Sequence, residues 1–249
     1  MVDAIFSQPR LAAIYDALDS DRTDLDVYAS IVDELAARSV VDLGCGTGTF
    51  ACLLANRGKE VTAVDPAAAS VAVAQRKAGA ERVRWLVADA DSLPALRVDL
   101  VTMTGNVAQV FVTDVEWMST LRASFAALRP GGYLVFEVRH PAREPWREWS
   151  REESHRRVDV GEIGTVESWV ELTSVQLPLV GFRWTFVFEA DGSVLTSEST
   201  LRFRSDTEVL ESLGDAGFVI QEIRDAPDRP RRELVFIAMR PEDGDPDRH

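Results

Sequence analysis

Apolar positions along this chain come in short blocks, and their period alternates between that of a strand and that of a helix. Residues 40–43 form an apolar run, glycines follow at 44, 46 and 48, and Phe50, Cys52, Leu53 and Leu54 then recur at helical spacing until residues 56–58. A second run, 61–64, stops at Asp65. The alternation continues with strands over 83–88 and 98–103, a helix over 114–128 with Trp117, Leu121 and Leu128 inward, and a strand over 133–138. Upstream, residues 10–36 read as two helices, one presenting Leu11, Ile14, Tyr15 and Leu18, the other Val27, Ile31, Val32 and Leu35. An alanine-rich helix fills 66–79. A last helix over 206–217 precedes strands over 218–224 and 233–239, the final one expected to run antiparallel to the rest. Strands alternating with helices predict a parallel sheet with crossover helices.

Between 139 and 204 the pattern changes. Residues 139–153 are polar, tryptophan-bearing and irregular, and three runs of β character follow at 165–177, 182–190 and 194–204. Asp191, Gly192 and Ser193 make a tight hairpin between the last two. Their alternation predicts an antiparallel sheet with one wet face, outside the main sheet.

The stretch 39–65 reads strand, glycine turn, helix, strand, acidic residue, which is half of a nucleotide-binding α/β unit. Glycines let the chain turn sharply from strand into helix and let a ligand approach the backbone. Asp65, 21 residues beyond Gly44, stands where a carboxylate can accept both hydroxyls of a ribose. The turn differs from the G-x-G-x-x-G/A of dinucleotide binders, because Thr49 stands where their third glycine or alanine would be. Asp42, just before the turn, also suits a cationic ligand better than a pyrophosphate.

The run DLGCGTG, preceded by VV and followed by VTAVD, resembles motif I of the class I S-adenosylmethionine-dependent methyltransferases. The TGN turn at 104–106 and the phrase ALRPGGYLVFE are similar to further elements of that family, in its glycine N-methyltransferase-like, type 11/25-like branch. The resemblance covers roughly 10–140 and 206–240. It implies an α/β fold: a Rossmann-like seven-stranded, mostly parallel sheet with helices on both faces and an inserted small antiparallel β-sheet. The implied division is a core of 1–140 plus 205–240, an insertion of 141–204 that covers substrate or mediates dimerisation, and a disordered tail of 241–249. It implies S-adenosyl-L-methionine as cofactor, held by Asp42, Gly44, Cys45, Gly46, Gly48, Asp65, Pro66, Asp89, Ala90, Met103 and Thr104. In the family an acid such as Asp89 meets the adenine amino group, and the backbone of the next residue meets the ring. Tyr15, beside Asp16, resembles an N-terminal aromatic that lies near the transferable methyl, and it could equally be a packing residue. His140, after the fifth strand, is the candidate general base, although a loop histidine can be merely structural.

Composition narrows the acceptor. With a net charge of −14 and a pI near 4.7, the chain lacks the basic face that a nucleic-acid backbone requires. No NPPY-like tetrapeptide follows the fourth strand; residues 102–105 are TMTG. Cys45 and Cys52 offer neither a disulfide framework nor a zinc cluster, and no metal site is expected. The N-terminus lacks a signal-peptide pattern and no apolar run reaches membrane-spanning length, so a cytoplasmic protein with no membrane partner is expected. The expected reaction is methyl transfer to an N or O atom of a small-molecule acceptor, in a pocket to which Trp146, Trp149, Trp169 and Trp184 could contribute. A homodimer through the insertion is the further partner expected. A non-catalytic S-adenosylmethionine-binding protein and an NAD-dependent oxidoreductase are the alternatives.

Overall fold

The computed structural model describes residues 2–94, 96–226 and 229–242. Most of the tail, residues 243–249, for which disorder is expected, lies outside the described residues. Three helices open the chain, α1 (Ala4–Ser7), α2 (Pro9–Leu18) and α3 (Asp24–Glu34). The alternating region follows as β1 (Ser39–Leu43), α4 (Thr49–Asn56), β2 (Glu60–Asp65), α5 (Ala68–Ala74), β3 (Val83–Val87), β4 (Val98–Met103), α6 (Asp114–Ala127) and β5 (Leu128–Arg139). The inserted region holds α7 (Arg151–Ser154), β6 (Arg156–Asp159), β7 (Thr165–Gln176), β8 (Leu179–Phe188) and β9 (Ser193–Arg202), and the chain returns through α8 (Asp206–Asp215), β10 (Val219–Asp225) and β11 (Glu233–Met239).

The main sheet has seven strands in the order β10-β11-β5-β4-β1-β2-β3. β11 is antiparallel to both its neighbours, while β5, β4, β1, β2 and β3 pair in parallel. Valine and leucine on both faces of β1 and β4 are fully buried, as a sheet covered on two sides requires. One face packs Tyr28, Ile31 and Val32 of α3 and Phe50 and Leu54 of α4. The opposite face packs Trp117 and Leu121 of α6 with Val209 and Leu213 of α8. Successive strands are laid down on opposite sides of β1 on passing from β2 and β3 to β4, so a crevice opens at the carboxyl ends of β1 and β4.

Two boundaries depart from the sequence pattern. The helix expected over 66–79 is formed only at Ala68–Ala74, and Lys77 beyond it turns back to donate to Thr49 Oγ1 at 2.6 Å. The RPGG segment, which follows the helix expected over 114–128 and precedes the strand expected over 133–138, lies within β5. There Gly131 and Gly132 exchange backbone hydrogen bonds with Arg240 at 2.8 Å each, and Arg129 Nε pairs with Asp99 at 2.6 Å.

The inserted strands form a separate antiparallel sheet ordered β6-β7-β8-β9. β6 was not apparent in the sequence: its residues RRVD carry a single apolar side chain. Helices α1 and α2 wedge this sheet against the core. Ile5 N donates to Ser197 Oγ at 2.9 Å and Arg10 pairs with Asp191 at 2.8 Å, while Ser70 Oγ of α5 donates to Phe6 O at 2.9 Å. Leu11 and Ile14 pack with Val166, Phe186 and Phe188 beneath that bridge.

Candidate active site

The glycine turn is pinned to the neighbouring strand before any ligand arrives. Gly44 N and Cys45 N donate to Val64 O at 2.8 and 3.1 Å. Gly48 has φ of 75°, and a Cβ there would sit 2.4 Å from the Trp85 ring and 2.7 Å from Ala74. It is glycine because α4 starts hard against β3 and α5. Gly46 is different: its φ is 53° and a Cβ would meet nothing within 4 Å. Its backbone faces open space at the crevice, which is the close approach a ligand needs.

Two buried acids flank this turn. Asp65 ends β2 and is 8% exposed; its Oδ2 accepts from Gly46 N and its Oδ1 from Ala67 N, both at 2.8 Å. Burial pushes its carboxyl up from the ordinary range. Each oxygen keeps a second lone pair for a hydroxyl. Asp42 is completely buried in β1; Thr102 Oγ1 donates to its Oδ1 at 3.3 Å, and its Oδ2 has no partner. Burial, and then the nearby Asp65, push Asp42 up to about 7. An orphaned carboxylate oxygen so close to neutrality favours a cation beside it, which fits a sulfonium or an amino-acid ammonium.

The other predicted positions lie around the same strand ends. Pro66 and Asp89 are exposed and Ala90 half-buried, beyond the ends of β2 and β3. Cys45 is half-buried with its thiol pushed up by burial. Met103 is buried in the core at 0% exposure, and Thr104 after it is half-buried. The N-terminal cap is tied to the turn itself. Thr47 Oγ1 donates to Asp16 of α2 at 2.6 Å, and Lys77 Nζ pairs with the other Asp16 oxygen at 2.7 Å.

A cavity of about 320 Å³ opens where the β4 loop, the N-terminal helices and the second sheet meet. Gly105, Asn106, Tyr15, Asp3, Asp19 and Ser168 are among its walls, with Phe182, Trp184 and Phe186 of β8 as its floor. Tyr15 packs its ring 5.6 Å from Phe6. Burial raises its phenol, and Asp19 raises it further, so it is a neutral donor near pH 7. His140 lines neither this cavity nor the one adjoining it. Its Nδ1 accepts from Ala142 N at 3.3 Å, and its backbone N–H donates to Arg232 O. Of the tryptophans, Trp184 faces this cavity and Trp149 the adjoining one. Trp146 is buried against Phe203, and Trp169 donates to Glu171 and carries Arg151 over its ring.

In the sequence Asn106 marks only part of a turn. It is 3% exposed and left-handed, with φ of 63°. Its backbone N–H donates to Glu137, and its Nδ2 donates to Glu233 at 3.2 Å, which fixes the carboxamide with Oδ1 unpartnered. Glu233 is also held by Arg229 at 2.9 Å and lies 3.8 Å from Arg139. Arg139 takes Gln109 Oε1 at 3.3 Å. Asn106, Glu137, Arg139 and Glu233 are separated by up to 127 residues, and no local spacing marks them as a cluster.

Fold and glycine turn together define a Rossmann-like α/β scaffold with a cavity near the carboxyl end of β4. Residues 40–132 match the model of a methyltransferase domain. The chain is 37% identical over 110 residues to the ubiquinone/menaquinone biosynthesis C-methyltransferase of Rubrivivax gelatinosus, covering 43% of this chain and 42% of that one. It is 26% identical over 187 residues to the malonyl-acyl-carrier-protein O-methyltransferase of Serratia marcescens, covering 72% and 67%. Its matches span about half the length of most such curated relatives. Among solved structures, the sugar N-methyltransferase KedS8 of Streptoalloteichus superposes with a TM-score of 0.75 over 92% of each chain, at 23% identity. These similarities support a class I S-adenosylmethionine-dependent methyltransferase. No helix among the described residues is long and apolar enough to cross a membrane.

Proposed function

We propose that this protein transfers the methyl group of S-adenosylmethionine to an N or O atom of a small molecule held in the chamber beside Asn106. The observation that carries this reading is Asn106, a buried residue that lines a cavity at the carboxyl end of β4 and whose Oδ1 has no partner. A buried acceptor oxygen left unpaired costs about 1–3 kcal/mol, and an N–H or O–H on the nucleophile would relieve that cost.

In this reading Asp65 takes the ribose hydroxyls, the Gly46 backbone lies along the amino-acid arm, and Asp42 supplies negative charge behind it. Pro66, Asp89 and Ala90 border the adenine, as the family resemblance implies. The cofactor supplies an electrophilic methyl and a good leaving group, so the chain's task is alignment and exclusion of water. Asn106 orients the nucleophile through its N–H or O–H, and the neutral Tyr15 hydroxyl donates to a second polar atom. The half-buried Asp3, pushed up by burial, stands in the chamber as a proton acceptor, a place that His140 does not occupy. The second sheet closes the chamber over the acceptor, and a dimer through that sheet is compatible with it.

The test is calorimetric titration with S-adenosylmethionine, S-adenosylhomocysteine and NAD, followed by turnover of Asn106→Ala on an identified acceptor. Binding of NAD in place of the sulfur ligands would overturn the cofactor assignment. Sulfur-ligand binding with no turnover of any N–H or O–H acceptor would leave a non-catalytic binding protein.

A further inference from the structure

A second cavity, of about 350 Å³, adjoins the first. The two share Arg139, Arg156, Phe182, Trp184 and Leu201, which makes them successive chambers of one site. The outer chamber is faced with flat apolar surface: Trp149 meets Phe182 edge-on at 4.7 Å, with Trp184, Val170 and Leu201 around them. A one-ring acceptor held at Asn106 would leave this surface bare.

The charges at the junction are unequally compensated. Arg139 is committed to Gln109 and lies near Glu233. Glu148 is held by both Arg232 nitrogens at 3.1 Å, Asp19 lies 4.0 Å from Arg22, and Asp3 is hydrogen-bonded to Ser199. Arg156 donates only to a carbonyl, Leu18 O at 2.8 Å, and has no carboxylate partner among the described residues. Ser168 Oγ, on the sheet face of the inner chamber, is 1% exposed and has no hydrogen-bond partner. A guanidinium with donors to spare binds an oxyanion through paired, charge-assisted hydrogen bonds.

We infer that the methyl acceptor is a two-part anionic molecule. Its nucleophile-bearing end fills the inner chamber against Asn106 and Ser168. Its carboxylate-class anion meets Arg156 at the junction, and a flat, aromatic portion lies against Trp149 and Phe182. This rests on the methyltransferase reading. Glu153, which lines the outer chamber and has no ion pair among the described residues, is the feature a cationic acceptor would exploit, so the test includes one.

The experiment is calorimetric titration of the full chain with and without saturating S-adenosylhomocysteine. The probes are 3-hydroxybenzoate, 4-hydroxybiphenyl-2-carboxylate and (4-hydroxybiphenyl-2-yl)methylamine, in which the charged group of each biphenyl lies between the hydroxyl and the second ring. The biphenyl acid is expected to bind at least about tenfold more tightly than either of the others. Arg156→Gln should erase the preference of acid over amine, and Trp149→Ala the preference of two rings over one, with S-adenosylhomocysteine affinity unchanged in both. Equal binding of acid and amine, an undiminished preference in Arg156→Gln, or no probe binding to protein that holds S-adenosylhomocysteine would each overturn the inference. Acid-selective binding by protein that rejects S-adenosylhomocysteine would instead overturn the methyltransferase reading and leave the chamber assignment standing.

Discussion

Asp65→Ala separates what this carboxylate does for the fold from what it does for a ligand. From the sequence alone the variant is expected to lose cofactor binding and keep its fold. The structure adds a cost, because Asp65 terminates two backbone N–H groups, of Gly46 and Ala67. Each donor left without a partner costs about 1–3 kcal/mol. Part of this is offset, since burial already disfavours the charged carboxylate. A net loss of about 2–4 kcal/mol should lower the melting temperature by roughly 5–15 °C in a chain of this size. Ribose recognition through two hydrogen bonds to a charged group is worth about 3–6 kcal/mol, or roughly 10²–10⁴-fold in affinity. Scanning calorimetry of the ligand-free variant reads the first effect. Isothermal titration with S-adenosylhomocysteine, well below the lowered melting point, reads the second. Wild-type affinity would refute the ribose assignment, and an unchanged melting temperature would refute the role of Asp65 in holding the turn.

Further outcomes follow from other groups. Glu137, buried and close to Glu233, has its carboxyl pushed up to about 8 by burial, from 4.5. The folded chain therefore keeps a proton that the unfolded chain releases, and this group's contribution to stability falls by about 1.4 kcal/mol per pH unit between those two values. Asp42 acts in the same direction up to about 7. Glu137→Gln should thus flatten the decline in melting temperature between pH 5 and 8 without abolishing it, and an unaltered slope would show that Glu137 is ionised in the fold. Asn106→Ala should lower turnover by about 10²-fold or more while S-adenosylhomocysteine affinity stays within a few-fold. His140→Ala, whose imidazole lies outside both chambers, should fall well short of the ~10²-fold loss that removing a general base causes; a larger loss, with intact cofactor affinity, would restore His140 as the base. Ser205 caps α8 reciprocally with Glu208, so Ser205→Ala should cost about 1 kcal/mol in a denaturant titration.

What could be read in the chain and what could not divide along a physical line. The main sheet was legible because its central strands are buried on both faces, so 40–43, 61–64 and 98–103 are mostly apolar regardless of neighbours, and because the turn between β1 and α4 tolerates few residues but glycine. Gly48 shows this most directly, with Trp85 and Ala74 occupying the space a Cβ would take. The second sheet was half legible: β8 and β9 alternate because one face is dry, whereas β6 reads as loop because its partner β7 supplies the pairing and its side chains stay wet. The two cavities left no local trace. Their walls come from α1, α2, the β4 loop, the end of β5 and all four strands of the second sheet, and each wall residue obeys the ordinary rules of the element that carries it. Phe182, Trp184 and Phe186 look like strand core, Arg156 like an edge charge, and Asn106 like a left-handed turn residue. They come together only when the wedge of α1 and α2 holds the second sheet over the carboxyl end of β4. His140 illustrates the converse. Position in sequence put it at the crevice edge, but β5 ends one residue earlier, and the chain that leaves it turns the imidazole onto its own backbone while Arg139 takes the place inside.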